Sequence, residues 1–408
     1  MKDNRKKFLK DVIHGEINIE HAWANEIIAT REFSRLNKIK QLGLTYLTFP
    51  SATHTRFAHS LGVYAIINRI ISELKSKNSE IKKISNDQFN ELLAAALLHD
   101  IGHGPHSHAF EHYTKIEHEK YSKQIILDEN TKINKILKKY KINVQKVVDI
   151  LEHKHPIAWF NELISSQIDA DRMDYLARDS HHSGASYGTL DIGIIIKRIM
   201  VINNSIVFDD RAITSIENLL LARYYMFTQV YQKPKTIAYE DLIKQILFRS
   251  KVLYKENTLI DRYKMVSLYE PWYKDENWTS EQYLATNDEN FSTFIDSLRF
   301  EQDEYLKETF KKIDEFKKRD YKVIDYTPEK YENILNKLKL KTKYPEIYIS
   351  KVKIRTKKIY KTNEEIIYVL DENDNKIKSV EKKSFILQKI SKQPKTQEII
   401  VYNSTKIE

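Results

Sequence analysis

Apolar positions recur at helical spacing through most of this chain, and the pattern changes only near its end. Near the start, DVIHGEI predicts a short extended segment turning at His14–Gly15, and residues 21–29 then read as an apolar helix. Phe33, Leu36, Ile39 and Lys40 keep helical spacing up to Gly43; Tyr46 to Phe49 reads as extended; Pro50 to Ala52 turns the chain. In the next helix His59, Val63, Ile66, Ile67 and Ile70 share one face. A second helix opens on Ser85 and Gln88 at capping-box spacing and carries Phe89, Leu92, Leu93, Ala96 and Leu97 as a buried stripe. Residues 114–160 alternate basic helical stretches with isolated histidines; His118 shares a helix face with Tyr121 and Ile125, while His153 and His155 read as surface loop residues. SSQIDADRMDYLARD predicts a third helix over residues 165–180, and DIGIIIKRIMVI, ITSIENLLLARYYMFTQVYQ and EDLIKQILFRSKVLY predict more.

After Tyr344 the texture becomes alternating apolar and basic, with YISKVKIRTKKIY as one strand run, two strands around the Asp/Asn turn of EEIIYVLDENDNKIKSV, and TQEIIVY as a last strand. The expected fold is mainly α with a small C-terminal α+β lobe, divided into residues 1–325 and 326–408.

Composition narrows the chemistry. There are no cysteines in 408 residues, so a disulfide framework and any Cys-ligated metal are excluded, and a reducing, cytoplasmic setting is expected. No apolar run is long enough to span a bilayer, so no membrane partner is expected. Residues 341–408 carry 16 Lys/Arg against 9 Asp/Glu, hence +7 of the formal +10. That bias suits a solvated strand face first and a nucleic-acid surface second. All 14 histidines lie between His14 and His182, and all eight glycines between Gly15 and Gly193, which confines the chemistry to the first half.

The densest stretch is AAALLHDIGHGPHSHAFEH, residues 94–112. The helix before it delivers His99 and Asp100 into the interior; Gly102, Gly104 and Pro105 then break it, so His103, His106 and His108 fall on a tight turn. His59 from one helix, His99 and Asp100 from the next and Asp171 from a third can converge on one ion. Two imidazoles and two carboxylates suit Mn, Fe, Ni or Zn better than Ca, and leave positions open for water and a substrate oxygen. Asp171, Tyr175, Arg178 and Asp179 share one face of the third helix.

The motifs HSLG at His59, HDIGHGP at His99 and D-x-D-R-x-D-Y-x-x-R-D from Asp169 to Asp179 resemble the HD-domain phosphohydrolases. Within them, together with IKQLGLTYLTFPSATHTRFAHSLGVY and LLARYYMFTQVYQ, they look like the deoxynucleoside triphosphate triphosphohydrolase branch, which includes bacterial dNTPases and the core of the vertebrate enzyme joining a SAM domain to an HD domain. The resemblance covers about residues 8–250. It implies an HD-domain helical core with His59, His99, Asp100 and Asp171 as metal ligands, and proton-transfer and phosphate-contacting groups at His103, His108, Glu111 and His118. It implies triphosphate contacts at Arg56, Arg172 and Arg223, and sugar contacts at Gln41, Tyr175, Asp179 and Tyr231. The implied reaction is metal-dependent attack of water at the α-phosphate of a dNTP, releasing deoxynucleoside and tripolyphosphate, with Mg on the nucleotide phosphates. A homo-oligomer, a tetramer or hexamer, and a nucleotide activator are implied too, but Ala29 and Asn37 stand where the vertebrate branch has an aspartate and an arginine for a guanine nucleotide, which argues against activation of that type. The alternatives are an HD phosphohydrolase acting on another nucleotide or on nucleic-acid ends, and a nucleic-acid-binding HD protein without turnover. His106 and His112 receive no role and read as surface or packing residues.

Overall fold

A computed structural model describes residues 7–260, 265–316, 321–355, 359–360, 365–390 and 396–403. Strands β1 (Lys7–Asp11) and β2 (Gly15–Ile19) form an antiparallel hairpin whose inward residues Ile17 and Ile19 are buried. Helix α1 (Ala22–Ile28) follows. The helical core is then built from α2 (Arg56–Lys77), α3 (Asn86–Leu98), α4 (His108–Thr114), α5 (His118–Leu127) and α6 (Ala170–Ser183).

The apolar spacing explains why these helices pack as they do. In α2 the residues Val63, Tyr64, Ile66, Ile67 and Ile70 are solvent-free, and in α3 so are Leu92, Ala94, Ala95, Ala96, Leu97 and Leu98. Ser85 and Gln88 form the reciprocal capping box that starts α3, each satisfying a backbone N–H of the other. Asp169 caps α6 by accepting from the Arg172 N–H at 2.6 Å, and Gly184, left-handed at φ 70°, ends it.

Downstream lie α7 (Ile192–Lys197), a second hairpin of β3 (Ile199–Ile202) and β4 (Ser205–Asp209), then α8 (Ile213–Met226) and α9 (Pro234–Lys255). A π-helical turn, Phe227–Tyr231, joins α8 to the segment before α9. In the last part of the chain β5 (Tyr321–Asp325), β6 (Ile349–Arg355) and β9 (Thr396–Asn403) make an antiparallel sheet ordered β5-β9-β6. β7 (Tyr368–Asp371) and β8 (Lys376–Ser379) extend the earlier hairpin into a sheet ordered β3-β4-β7-β8, with β7 parallel to β4. The basic end of the chain is therefore hydrogen-bonded to the helical part. No described helix is long and apolar enough to cross a membrane.

Three local expectations are corrected. DIGIIIKRIMVI is not one helix: it breaks after Lys197 because Ile199 to Ile202 and Ser205 to Asp209 flank Asn203–Asn204, both at positive φ, the signature of a tight hairpin turn. Tyr46 lies in a 3₁₀ turn, Gly43–Leu47, rather than in extended chain, and residues 31–43 form only a short helix, Arg31–Ser34, followed by the 3₁₀ turn Arg35–Lys38. His155 is not a surface residue; it is buried and stacked on Phe160, with ring centroids 5.1 Å apart.

Candidate functional site

Three helices and one turn bring His59, His99, Asp100 and Asp171 together. His59 comes from the first turns of α2, His99 and Asp100 from the end of α3, and Asp171 from the first turn of α6. His59 is fully buried, with Nε2 3.2 Å from His99 Nε2, 2.9 Å from an Asp171 oxygen and 3.6 Å from an Asp100 oxygen. His99 Nε2 lies 3.4 Å from Asp100 and 3.7 Å from Asp171.

The tautomers follow from the other ring atoms. His59 Nδ1 donates to Asp174 at 2.8 Å, and His99 Nδ1 donates to the Ala96 carbonyl at 2.8 Å. In the neutral rings both Nε2 atoms are thereby left with lone pairs directed at one spot. Two nitrogens bound to one ion at about 2.1 Å each lie roughly 3.0–3.4 Å apart for angles near 90–110°, which matches the 3.2 Å found. The site's demand for positive charge shows in its protonation: burial opposes charge on His59, yet Asp171 and Asp174 raise its pKa to about 10, so a proton on Nε2 takes the place an ion would take, and Asp171 is held well below the usual carboxylate range despite its burial. The carboxylates demand a cation, and the residues present fit a divalent metal.

Two glycines set this geometry. A Cβ on Gly62 would meet Asp174 Oδ1 at 1.8 Å, so the glycine of HSLG is what lets α6 close on α2. A Cβ on Gly102 would meet the Ser122 nitrogen at 2.2 Å and the His118 carbonyl at 2.3 Å, so the glycine of HDIG lets α5 pack on the turn. Ser122 Oγ then ties both sides, accepting from the Gly102 N–H and donating to the His99 carbonyl, each at 3.0 Å. Arg35, fully buried, donates to the carbonyls of Ile101, His103 and Thr286 and anchors the same turn.

A second cluster, His103, His108, Glu111 and His118, adjoins the first through His103 Nε2, 3.3 Å from Asp100. Its imidazoles converge on one carboxylate: His108 Nδ1 reaches Glu111 at 2.9 Å, and the His118 backbone N–H at 2.8 Å, with the His118 ring bonded to the same oxygen. Burial alone raises the Glu111 pKa, but the bonds from His108 and His118 outweigh it and hold the carboxylate charged far below its ordinary value. His103 stacks on His118 with centroids 3.8 Å apart; burial, Arg56 and His118 push its pKa well down, so it is neutral.

The remaining predicted residues divide in two. Arg223 is buried, and its Nε and Nη1 have no hydrogen-bond partner among the described residues. Tyr175, one turn beyond Asp171, is near enough to feel the charges of Arg223, Arg172 and Asp171. Gln41 is buried with Oε1 unpartnered. Tyr231 donates to Asp179 at 2.7 Å, and the Tyr175 and Tyr231 rings lie 6.4 Å apart. Arg56 and Arg172 instead have internal partners: Arg56 donates to Asp100 at 2.5 Å and Ser107 at 2.8 Å, and Arg172 pairs with Asp169. Arg178 does not join the pocket face; it is spent on Asp174 and Asp11. His106 is a packing residue, edge-on to Phe291 with its backbone N–H donating to Asp288 at 2.8 Å, and His112 is exposed.

Asp174 and His54 were missed by sequence reasoning. Asp174 orients His59, and its signal was its position three residues after Asp171. His54 bonds Asp179 at 2.8 Å and stacks on His182 at 4.5 Å, with no motif to mark it.

Comparison with known proteins agrees with this architecture. Residues 56–179 match the HD domain family model. Over 94% of its length the chain is 30% identical to the uncharacterized MG461 homolog of Mycoplasma pneumoniae, covering 93% of that protein. It is 34% identical, over 44% of its length, to 36% of the Bos taurus deoxynucleoside triphosphate triphosphohydrolase SAMHD1. The crystal structure of a phosphohydrolase from Bacteroides thetaiotaomicron superimposes with a TM-score of 0.85 at 27% identity, covering 98% of this chain and 100% of that one. Of two further uncharacterized relatives, from Bacillus subtilis and Mycoplasma genitalium, the chain spans 58% and 62% of the length. The chain belongs to the HD-domain phosphohydrolase superfamily.

Proposed function

We propose that this protein hydrolyses deoxynucleoside triphosphates to deoxynucleoside and tripolyphosphate. The observation that carries the reading is Arg223: a buried guanidinium with two nitrogens unpartnered among the described residues is costly unless an anion completes it, and its charge is felt by Tyr175, one turn from the ligand Asp171. A divalent metal and an unsatisfied arginine together suit a charged, phosphate-bearing substrate. The likeness to SAMHD1 supports the same substrate class.

In this reading His59, His99, Asp100 and Asp171 hold a divalent ion, which supplies Lewis acidity toward water and a phosphoryl oxygen. Arg223 takes the phosphate chain. Arg172 shares its charge between Asp169 and the substrate, and Arg56 reaches the phosphates only by loosening from Asp100. Neutral His103, stacked on His118, and the His108–Glu111–His118 group move the proton to the leaving oxygen. Tyr175 and Tyr231 pack against the sugar, where a 2′-hydroxyl has no room, while Gln41 and Asp179 offer acceptors to its remaining hydroxyl.

The alternative of nucleic-acid ends is less well supported, because Lys351 and Lys353 on β6 are both paired with Glu398. Purified protein loaded with Mn²⁺ or Mg²⁺ and given each dNTP, alone and in pairs, is expected to release tripolyphosphate. Release of monophosphate alone, or of nothing, defeats the reading. Light scattering with and without dNTP tests the oligomer that belongs to it.

A further inference from the structure

The N-terminal hairpin and the metal cluster share a carboxylate. Asp174 is fully buried and receives four hydrogen bonds, enough to occupy the lone pairs of both oxygens. Oδ2 accepts from His59 Nδ1 and from Arg178 Nε, both at 2.8 Å; Oδ1 accepts from His14 Nε2 at 2.7 Å and from Arg178 Nη2 at 2.9 Å. His14 stands at the turn of the β1–β2 hairpin. That turn is itself fixed, since Asp11 Oδ1 accepts the N–H groups of Ile13 and His14 at 2.9 Å each, and Arg178 reaches back to Asp11 at 2.8 and 3.2 Å.

We infer that the β1–β2 hairpin is a control element of the metal centre, with His14 a positioning residue that acts on His59 through Asp174. The inference rests on the metal centre of the proposed function, though not on its substrate. A carboxylate pinned by donors on both oxygens holds the His59 ring in one tautomer and one orientation, and outer partners of this kind commonly set metal affinity over about 10–100-fold. Two of the four donors to Asp174 come from Arg178, which is fixed by the hairpin's Asp11; a third is the hairpin's own His14. Undocking the hairpin therefore frees Asp174 to rotate away from His59. By linkage the converse holds: a bound ion, by fixing His59 and Asp174, must favour the docked hairpin to the same degree. Ile17 and Ile19 dock the hairpin on the core, while Phe8 and Val12 are more than half exposed, so little apolar surface holds its outer half in place.

The test uses the full chain with Mn²⁺ as probe, reading affinity by competition with a metal-sensitive dye and hairpin docking by amide hydrogen exchange over residues 8–19. His14→Phe keeps the ring volume but removes the donor, and should weaken Mn²⁺ binding by about 10-fold. His14→Gln keeps an N–H donor and should recover most of that loss. Glu16→Gln, which removes only the exposed partner of Lys10, should bind as wild type. Mn²⁺ should slow exchange in the hairpin of wild type and not of His14→Phe. Wild-type affinity in a folded His14→Phe variant, or hairpin exchange indifferent to Mn²⁺, overturns the inference. So does a wild-type protein that binds no Mn²⁺, which removes the metal centre of the proposed function as well. If the metal responses appear but no dNTP is hydrolysed, the substrate reading falls and the coupling stands.

Discussion

The two histidine clusters use the same residue types and differ in what their Nδ1 atoms engage. Around His59 and His99 each Nδ1 is committed to an acceptor of its own, a carboxylate or a backbone carbonyl, and each Nε2 is turned inward. Around Glu111 the imidazole N–H groups of His108 and His118 point at the carboxylate itself, and the side chain of His108 is largely solvent-exposed. The donor atoms of either cluster lie close enough to hold a cation, and the shared carboxylate of the second also suits a mobile proton. Nδ1 is the engaged atom in both clusters; what it engages, a partner of its own or a carboxylate shared between two rings, distinguishes them where histidine density does not.

This contrast can be broken by experiment. Asp100→Ala together with His99→Ala should abolish metal retention, measured by elemental analysis of dialysed protein, and turnover with it. His118→Ala should leave metal content at the wild-type level and lower kcat by about 10²–10⁴-fold; loss of metal from this variant would show that the clusters do not divide the work. Arg223→Ala should reduce kcat/KM by roughly 10–100-fold, as expected for one lost charge-assisted bond of about 1.5–3 kcal/mol, with Arg223→Lys intermediate. A smaller effect lies outside both clusters. Burial raises the carboxyl of Glu240, on α9, from 4.5 to about 7. Because the folded pKa is the higher one, stability is greatest below pH 4.5 and is lost as pH climbs through 7. Glu240→Gln should accordingly raise the melting temperature at pH 8, by the equivalent of about 1–3 kcal/mol, and leave it unchanged near pH 4.

Much of the scaffold was legible because it is periodic. The stripes of α2 and α3 and the Ser85 cap could be read directly, and the mainly helical fold with small C-terminal sheets follows from the switch to alternation after Tyr344. The approach of His59, His99, Asp100 and Asp171 was readable because each sits at a helix end beside a distinctive glycine or aspartate. The β3–β4 hairpin was not, because Ile, Met and Val continue an apolar run and only Asn203–Asn204 betrays the turn. Nor could spacing show that Arg56 and Arg172 have internal carboxylate partners while Arg223 does not. His155 was misread because a histidine between Lys154 and Pro156 looks solvated, whereas Phe160, five residues on, folds back over it.

At Gly62 the absence of one carbon is structural. Helices α2 and α6 touch through a gap narrower than a methyl group, so the distance between His59 and Asp171 is set by steric permission rather than by attraction. A side chain there would act as a shim: the core on either side could remain folded while the ligands no longer meet, which makes position 62 a mechanical adjustment screw for the metal centre.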